Sequence, residues 1–461
     1  MKYVILVGGL LAAAGTGFST VYFGQSFEIA LTAAVVVLCA VWWIFEPIPI
    51  PVTSMIPLAV FPLSGVLSAT QVGACVGDKL VLLMMGGFML SMAMEQSGAH
   101  RRLALNMVGW FGGGSSSRRL VFGFMAASAF LSMWISNAAT VLMLLPIVAA
   151  VVEKSKNAKL KVALLLGIAY SASVGGIATP IGTPPNLVFM SVYVETIGAE
   201  EPSFMTWMTW ALPIVAIMLP LIGFWLTRGL KSEDGLEMPD TGRWRYEEIA
   251  TLVVFGITAL LWVTRKGPSG GWSEWLNLPG ANDAAVAMLA VVAMHFLPNG
   301  KGATLLTWDN AVKIPWGVLL LFAGGIAIAK ACIESGLSQQ LGEALSDISA
   351  FPLILMIGLV CLAVTFLTEV TSNTATATLL LPILAATAIG TDIGTGIDPR
   401  LIMIPATISA SFAFMLPVAT PPNAIVFGSG VLTIKDMMRQ GLVLNLIGVV
   451  VVTLVCWLTF G

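Results

Sequence analysis

Charge is what this chain has least of. Only 10% of its 461 residues are Asp, Glu, Lys or Arg, where an ordinary soluble domain carries about 25%. The 22 basic and 24 acidic residues leave a net charge of −2, which excludes a nucleic-acid binder with a basic face for phosphates. Histidine is nearly absent: His100 and His295 stand alone, neither with a metal-ligand partner, so imidazole-based metal or catalytic chemistry has little to draw on. The five cysteines, Cys39, Cys75, Cys332, Cys361 and Cys456, lie scattered with no Cys-X-X-Cys spacing. They read as small core hydrophobes, not as a metal site.

Apolar residues dominate instead, at 57% of the chain with a mean hydropathy of +0.94. A packed soluble core does not have this composition. Runs of about 20 apolar residues, each long enough to cross a bilayer, are expected at 3–23, 27–47, 50–68, 79–96, 162–194, 207–228, 247–264, 283–297, 314–332, 401–430 and 441–460. The first run is too long for a signal-peptide core and is read as a span. Trp207, Trp210, Trp272 and Trp275 read as an interfacial belt. The expected fold is an all-α polytopic membrane protein with eleven spans.

Two segments refuse that scheme. The run from Leu120 to Val152 lies between Arg118-Arg119 and Glu153-Lys154 and has Ser136-Asn137 at its centre. It is too long for one crossing and too short for two with a turn. The run from Phe351 to Ile389 behaves likewise around Ser372-Asn373. Each is expected to be a re-entrant hairpin whose tip reaches the midplane, where irregular backbone is tolerated only inside protein or along a cavity.

These segments are one text written twice. SNAATVLMLLPI at Ser136 recurs as SNTATATLLLPI at Ser372, an offset of 236. Thr-Pro-Pro-Asn at Thr183–Asn186 recurs at Thr420–Asn423, an offset of 237. Gly86-Gly87 with Ser97-Gly98 recurs as Gly324-Gly325 with Ser335-Gly336, an offset of 238. With a cytoplasmic N-terminus, 17 of the 22 Lys and Arg fall on the inside, as the positive-inside rule asks. The first hairpin is then based inside and the second outside, which makes the repeats inverted and leaves the C-terminus external. The polar stretch 231–246 is the expected linker.

Duplicated polar motifs in such a chain point to a ligand site shared by two repeats. An isolated Ser, Asn or Thr in a membrane helix is ordinarily an interhelical hydrogen-bonder. Duplication shifts the balance to function for Ser136, Asn137, Ser372, Asn373 and Thr374, with Thr183 and Thr420 behind them. Neither tip nor break contains Lys or Arg. Neutral amides, hydroxyls and helix N-termini must therefore receive an anion, and bound cations must offset its charge. Glu369, close to the second tip, has Met133 as its counterpart; a functional and a merely local role stay equally open. Glu46 and Glu95 read as structural or dimer-contact residues at span ends. An intramembrane enzyme would need a nucleophile with a base, or paired carboxylates. Ser136 and Ser372 have neither, so no enzyme is expected. A channel stays possible, since inverted repeats with half-helices also build pores.

The Ser-Asn motifs, the paired Thr-Pro-Pro-Asn breaks and the run WWIFEPIPIPVTSMIPLAVFPL (Trp42 to Leu63) resemble the divalent-anion/sodium symporter family over nearly the whole chain. That resemblance implies an elevator-type homodimer in the bacterial inner membrane, with 1–115 and 247–350 as scaffold and 116–230 and 351–461 as the moving transport parts. It implies sodium as coupling ion, no organic cofactor, and uptake of a C4-dicarboxylate such as succinate, malate or fumarate. The alternatives are dicarboxylate or citrate exchange, or symport of sulfate or another divalent anion. Substrate would bind at Ser136, Asn137, Ser372, Asn373, Thr374, Thr183 and Thr420. One sodium site would use Ser132, Ser136, Asn137 and Gly182, and the other Thr368, Thr371, Asn373 and Ala419. One departure stands out: Ala138 occupies a position where the family has Thr, as at Thr374.

Overall fold

A computed structural model of the chain describes residues 2–111, 116–155, 157–230, 242–267, 270–344, 352–392 and 398–461. The described elements are helices, with one isolated antiparallel bridge between Pro298 and Thr304. The first half opens with α1 (Lys2–Tyr22), α2 (Phe27–Phe45), α3 (Ile50–Ser64), α4 (Ala69–Val76), α5 (Lys79–Ser97) and α6 (Ala99–Trp110). It continues with α7 (Ser117–Ser132), α8 (Asn137–Lys154), α9 (Ala158–Gly176), α10 (Pro184–Ile197) and α11 (Phe204–Thr227). The second half begins with α12 (Tyr246–Thr264), α13 (Trp272–Trp275), α14 (Asp283–Phe296), α15 (Trp308–Ala311), α16 (Trp316–Ser335) and α17 (Leu337–Ala344). It ends with α18 (Leu353–Thr368), α19 (Asn373–Asp392), α20 (Arg400–Ser409), α21 (Pro421–Phe427) and α22 (Ile434–Phe460).

Among the described residues, eight helical segments are long and apolar enough to cross a membrane, against the eleven spans expected. The other three expected spans fall short for local reasons. α3 has 15 residues with Pro57 and Pro62 inside it, and α14 has 14; each is about 21–23 Å long at 1.5 Å per residue. The third, 401–430, is cut in two between α20 and α21. The hairpin arms are longer than half-crossings: α7 and α18 have 16 residues each, or about 24 Å. Most of the expected linker, 231–241, lies outside the described residues. Its far end is fastened where Arg102 pairs with Glu248 at 2.7 Å, both side chains buried, and donates to the carbonyls of Gly242 and Arg243.

The repeats are interlocked, not set side by side. α5 crosses α14, and its counterpart α16 crosses α3. The duplicated glycines make these crossings possible. A β-carbon on Gly86 would stand 2.6 Å from that of Ala287, and one on Gly324 would stand 2.5 Å from the Ser54 carbonyl. The same exchange recurs deeper in the molecule. α10 of the first repeat packs on α19, the second arm of the opposite hairpin, and α21 packs on α8. Each hairpin also leans on the helix after it, α7 on α9 and α18 on α20.

Candidate functional site

Each hairpin turns just after its first arm, α7 ending at Ser132 and α18 at Thr368, and its second arm starts at the Asn of the Ser-Asn motif. Ser136 has extended backbone (φ −57°, ψ 142°), and its hydroxyl accepts from the Ala139 amide at 3.2 Å, which starts α8 at Asn137. This is an ordinary N-cap. Below the tip, Ser132 donates to the Asn137 carboxamide oxygen at 2.5 Å. The second hairpin repeats the contact with Thr368 and Asn373 at 2.9 Å, and Thr368 also lies 2.9 Å from the Ala410 carbonyl. Three oxygens there share one hydroxyl proton, an electron-rich cluster of the kind that suits a hard cation.

The breaks follow in chain order, 177–183 in the first repeat and 410–420 in the second. Each is stapled by the Asn of its Thr-Pro-Pro-Asn motif. Asn186 donates to the carbonyls of Gly176 and Thr179 at 3.1 and 2.7 Å, and Asn423 to those of Ala413 and Leu416 at 2.9 and 3.0 Å. Both asparagines are fully buried. Two prolines then begin α10 and α21, removing N–H groups that an anion could have used. Backbone donation to a ligand therefore falls to the first turns of α8 and α19.

Tips and breaks meet on one cavity of about 670 Å³. Ser136, Asn137, Ala138, Gly182 and Thr183 line it from the first repeat, and Thr371, Ser372, Asn373, Thr374, Ala419 and Thr420 from the second. Every substrate position expected from the sequence is on this wall. Ser132 and Thr368 are not; both are fully buried, each bonded to the Asn of its tip. The Thr371 hydroxyl turns away to the Leu367 carbonyl and to Thr376, so its side chain is spent within hairpin 2. Thr420 caps α21 through the Asn423 amide, whereas Thr183 caps nothing by its side chain.

Several neighbours escaped sequence reasoning. Phe88, Ile50, Pro315 and Val318 close the cavity from α5, α3 and the start of α16. Glu46, expected as a span-end residue, also lines it, where the chain leaves α2 in a left-handed conformation (φ 46°). Its place just before Pro47 was the available signal. Trp207 is no interfacial anchor: it is fully buried and donates to the Ile177 carbonyl at 2.9 Å, pinning the first break. Trp275 is exposed, as a belt residue should be.

Comparison with known proteins decides what this cavity belongs to. Residues 40–403 match the family described as citrate transporter. A protein of Staphylococcus saprophyticus named sodium-dependent dicarboxylate transporter SdcS is 37% identical over 94% of this chain and 85% of its own length. Its namesake in Staphylococcus aureus is 36% identical over 92% and 84%. The chain belongs to the divalent-anion/sodium symporter family. It is an integral membrane transporter and not an enzyme. Among solved structures, the Alcanivorax borkumensis YdaH transporter matches with a TM-score of 0.58 at 14% identity, over 87% of this chain and 88% of that one. MtrF of Neisseria gonorrhoeae gives 0.60 at 12%, over 86% and 83%. At such identities these two speak for the fold alone.

Proposed function

We propose that the protein is a sodium-coupled importer of a C4-dicarboxylate such as succinate, malate or fumarate, working by alternating access. The observation that carries this is the cavity wall: two Ser-Asn tips and two unwound breaks face one space that contains no Lys or Arg. Amides and hydroxyls can orient carboxylates but cannot neutralise a dianion. Cations held by the oxygens beneath the tips can, which couples one solute to the other. The names of the Staphylococcus relatives support both substrate and ion. The volume lies within the usual range for small-molecule sites and leaves citrate in contention.

The sodium sites of this proposal are those the family resemblance implies. Ser132, Ser136, Asn137 and Gly182 serve one ion, and Thr368, Thr371, Asn373 and Ala419 the other, with Thr371 and Ala419 offering main-chain oxygen. The moving part is α7–α11 with α18–α22, welded by the α10–α19 and α21–α8 contacts. The scaffold is α1–α6 with α12–α17, held by the α5–α14 and α3–α16 crossings, and would form the homodimer. The N-terminus is placed in the cytoplasm and the C-terminus outside.

The test is radiolabelled succinate uptake into proteoliposomes under a sodium gradient, a potassium gradient or none, with citrate and sulfate as competitors. Uptake that accumulates only with sodium supports the proposal. Equal exchange in all three conditions overturns the coupling, and sulfate outcompeting succinate overturns the substrate. Cysteines at 118 and 154 reporting opposite faces would overturn the re-entrant topology.

A further inference from the structure

The second break is gripped by a carboxylate and the first is not. Glu369, at the C-cap of α18, is buried at 3% exposure. One of its oxygens accepts from the Met415 amide at 2.8 Å and from the Asn445 side chain at 2.7 Å. The other accepts from the Leu416 amide at 2.9 Å. Asn445, on α22, holds the Phe414 amide with its own oxygen at 3.3 Å. Tyr170 crosses from α9 of the other repeat to donate to the Phe414 carbonyl at 2.7 Å.

Leu416 transmits this grip. Its carbonyl accepts the Asn423 side chain at 3.0 Å and the Ala419 amide at 3.2 Å. It thereby forms the turn that sets where Ala419 sits. On its other side Glu369 follows Thr368, the centre of the three-oxygen cluster with Asn373 and Ala410. One carboxylate thus links the two walls between which the second sodium was placed above. In the first repeat, Met133 occupies the equivalent position. There only its main-chain carbonyl acts, accepting from the Thr179 hydroxyl.

We infer that Glu369 is a positioning residue for the second cation site, so that the two sodium sites are unequal and removing this carboxylate weakens sodium binding at one of them. The inference rests on the sodium-coupled reading above. A glutamine cannot substitute without loss. Three donors converge on two carboxylate oxygens, and an amide would turn its NH2 toward at least one of them. The Leu416 turn would then lose an anchor while the substrate donors on the tips keep theirs.

The experiment measures sodium-dependent thermal stabilisation of the purified protein without substrate, choline replacing sodium to hold ionic strength. Glu369→Gln should raise the sodium concentration at half-effect roughly tenfold or more, the scale of a lost hydrogen bond to a charged group. In uptake assays at saturating sodium its succinate KM should stay within about twofold. Asn445→Ala should move the sodium half-point the same way by less, and it carries the test if Glu369→Gln does not reach the membrane. A Glu369→Gln/Asn445→Asp exchange restores a carboxylate–amide pair and should recover part of the loss. A half-point unchanged in the variants, with only stability or maximal rate reduced, overturns the inference and leaves Glu369 merely structural. No sodium effect in the unaltered protein overturns the coupling and this inference together.

Discussion

In the first break, 177–183, the backbone is held by neutral groups of its own repeat: Asn186, Trp207 and Thr179. In the second, 410–420, the holders include a carboxylate, an asparagine on α22 and a tyrosine borrowed from the other repeat. The two breaks also differ in room. A β-carbon on Gly182 would collide with the Gly176 carbonyl, whereas the matching position already carries one at Ala419. Duplication has therefore kept the Ser-Asn and Thr-Pro residues of the cavity wall, with exceptions at Ala138/Thr374 and Gly182/Ala419, and let the supports diverge. On the reading proposed above, the tips and breaks keep their motifs because four segments must converge on one space, while an unwound backbone can be anchored by any donor or acceptor in reach.

The sharpest way to break this symmetry of face is to remove one amide at a time. Asn137→Ala and Asn373→Ala should each nearly abolish succinate uptake. Each removes an amide from the cavity wall, at about 1–3 kcal/mol or roughly 5- to 150-fold in affinity, while expression persists; Asn137→Ala also takes the partner of buried Ser132, whereas Thr368 keeps the Ala410 carbonyl in Asn373→Ala. Near-normal apparent affinity in either would remove that residue from the site. The asymmetry of room gives the next test. Gly182→Ala should cost about 1–3 kcal/mol of overpacking and cut transport severely, whereas Ala419→Gly should be mild. Equal effects in uptake and thermal unfolding would show that the breaks are equally spacious.

Smaller effects refine the picture at the tips. Thr374→Ala leaves neither tip with a threonine at this position and should lower substrate affinity several-fold. Ala138→Thr should be tolerated and can gain up to about 1 kcal/mol. Substrate titrations decide, and an inactive Ala138→Thr would take position 138 off the anion wall. Smallest of all should be the loop 198–203, where Lys266 holds the Glu200 carboxyl below its usual range through a 2.8 Å hydrogen bond. The corresponding loop 428–433 has no charge at all. A lowered folded pKa means that this pair contributes above the ordinary carboxylate pKa and is lost as pH falls through the lowered value. Glu200→Gln should therefore leave uptake at neutral pH nearly unchanged, as for exposed pairs generally. A large loss would show that the loop matters to transport.

What the chain disclosed in advance was whatever repeats. The Ser-Asn tips, the Thr-Pro-Pro-Asn breaks and the glycine pairs announce themselves because the same residue types recur at 236 to 238 positions. All seven expected substrate residues do line the cavity. Interlocking could not be read, since which α10 or α21 packs on which hairpin is a tertiary choice with no periodic trace. Trp207 misled because buried and interfacial tryptophans look alike in an apolar run, and only the partner of its N–H tells them apart. Glu46 looked like a span end. It is one, and the left-handed residue there also lines the cavity.

The absence of fixed positive charge from that wall bears on how quickly a cycle can finish. An arginine or lysine placed 4 Å from one carboxylate of the dianion would still attract that single charge after the sodium ions had gone, by about 4 kcal/mol at an effective dielectric of 20. That would lengthen its stay roughly a thousandfold. Where the attraction is lent by ions that themselves depart, the solute's dwell time is set by the cation concentration on the side it faces. On the sodium-coupled import proposed above, the low sodium inside a cell would act as the release signal, with no separate trigger needed to empty the cavity.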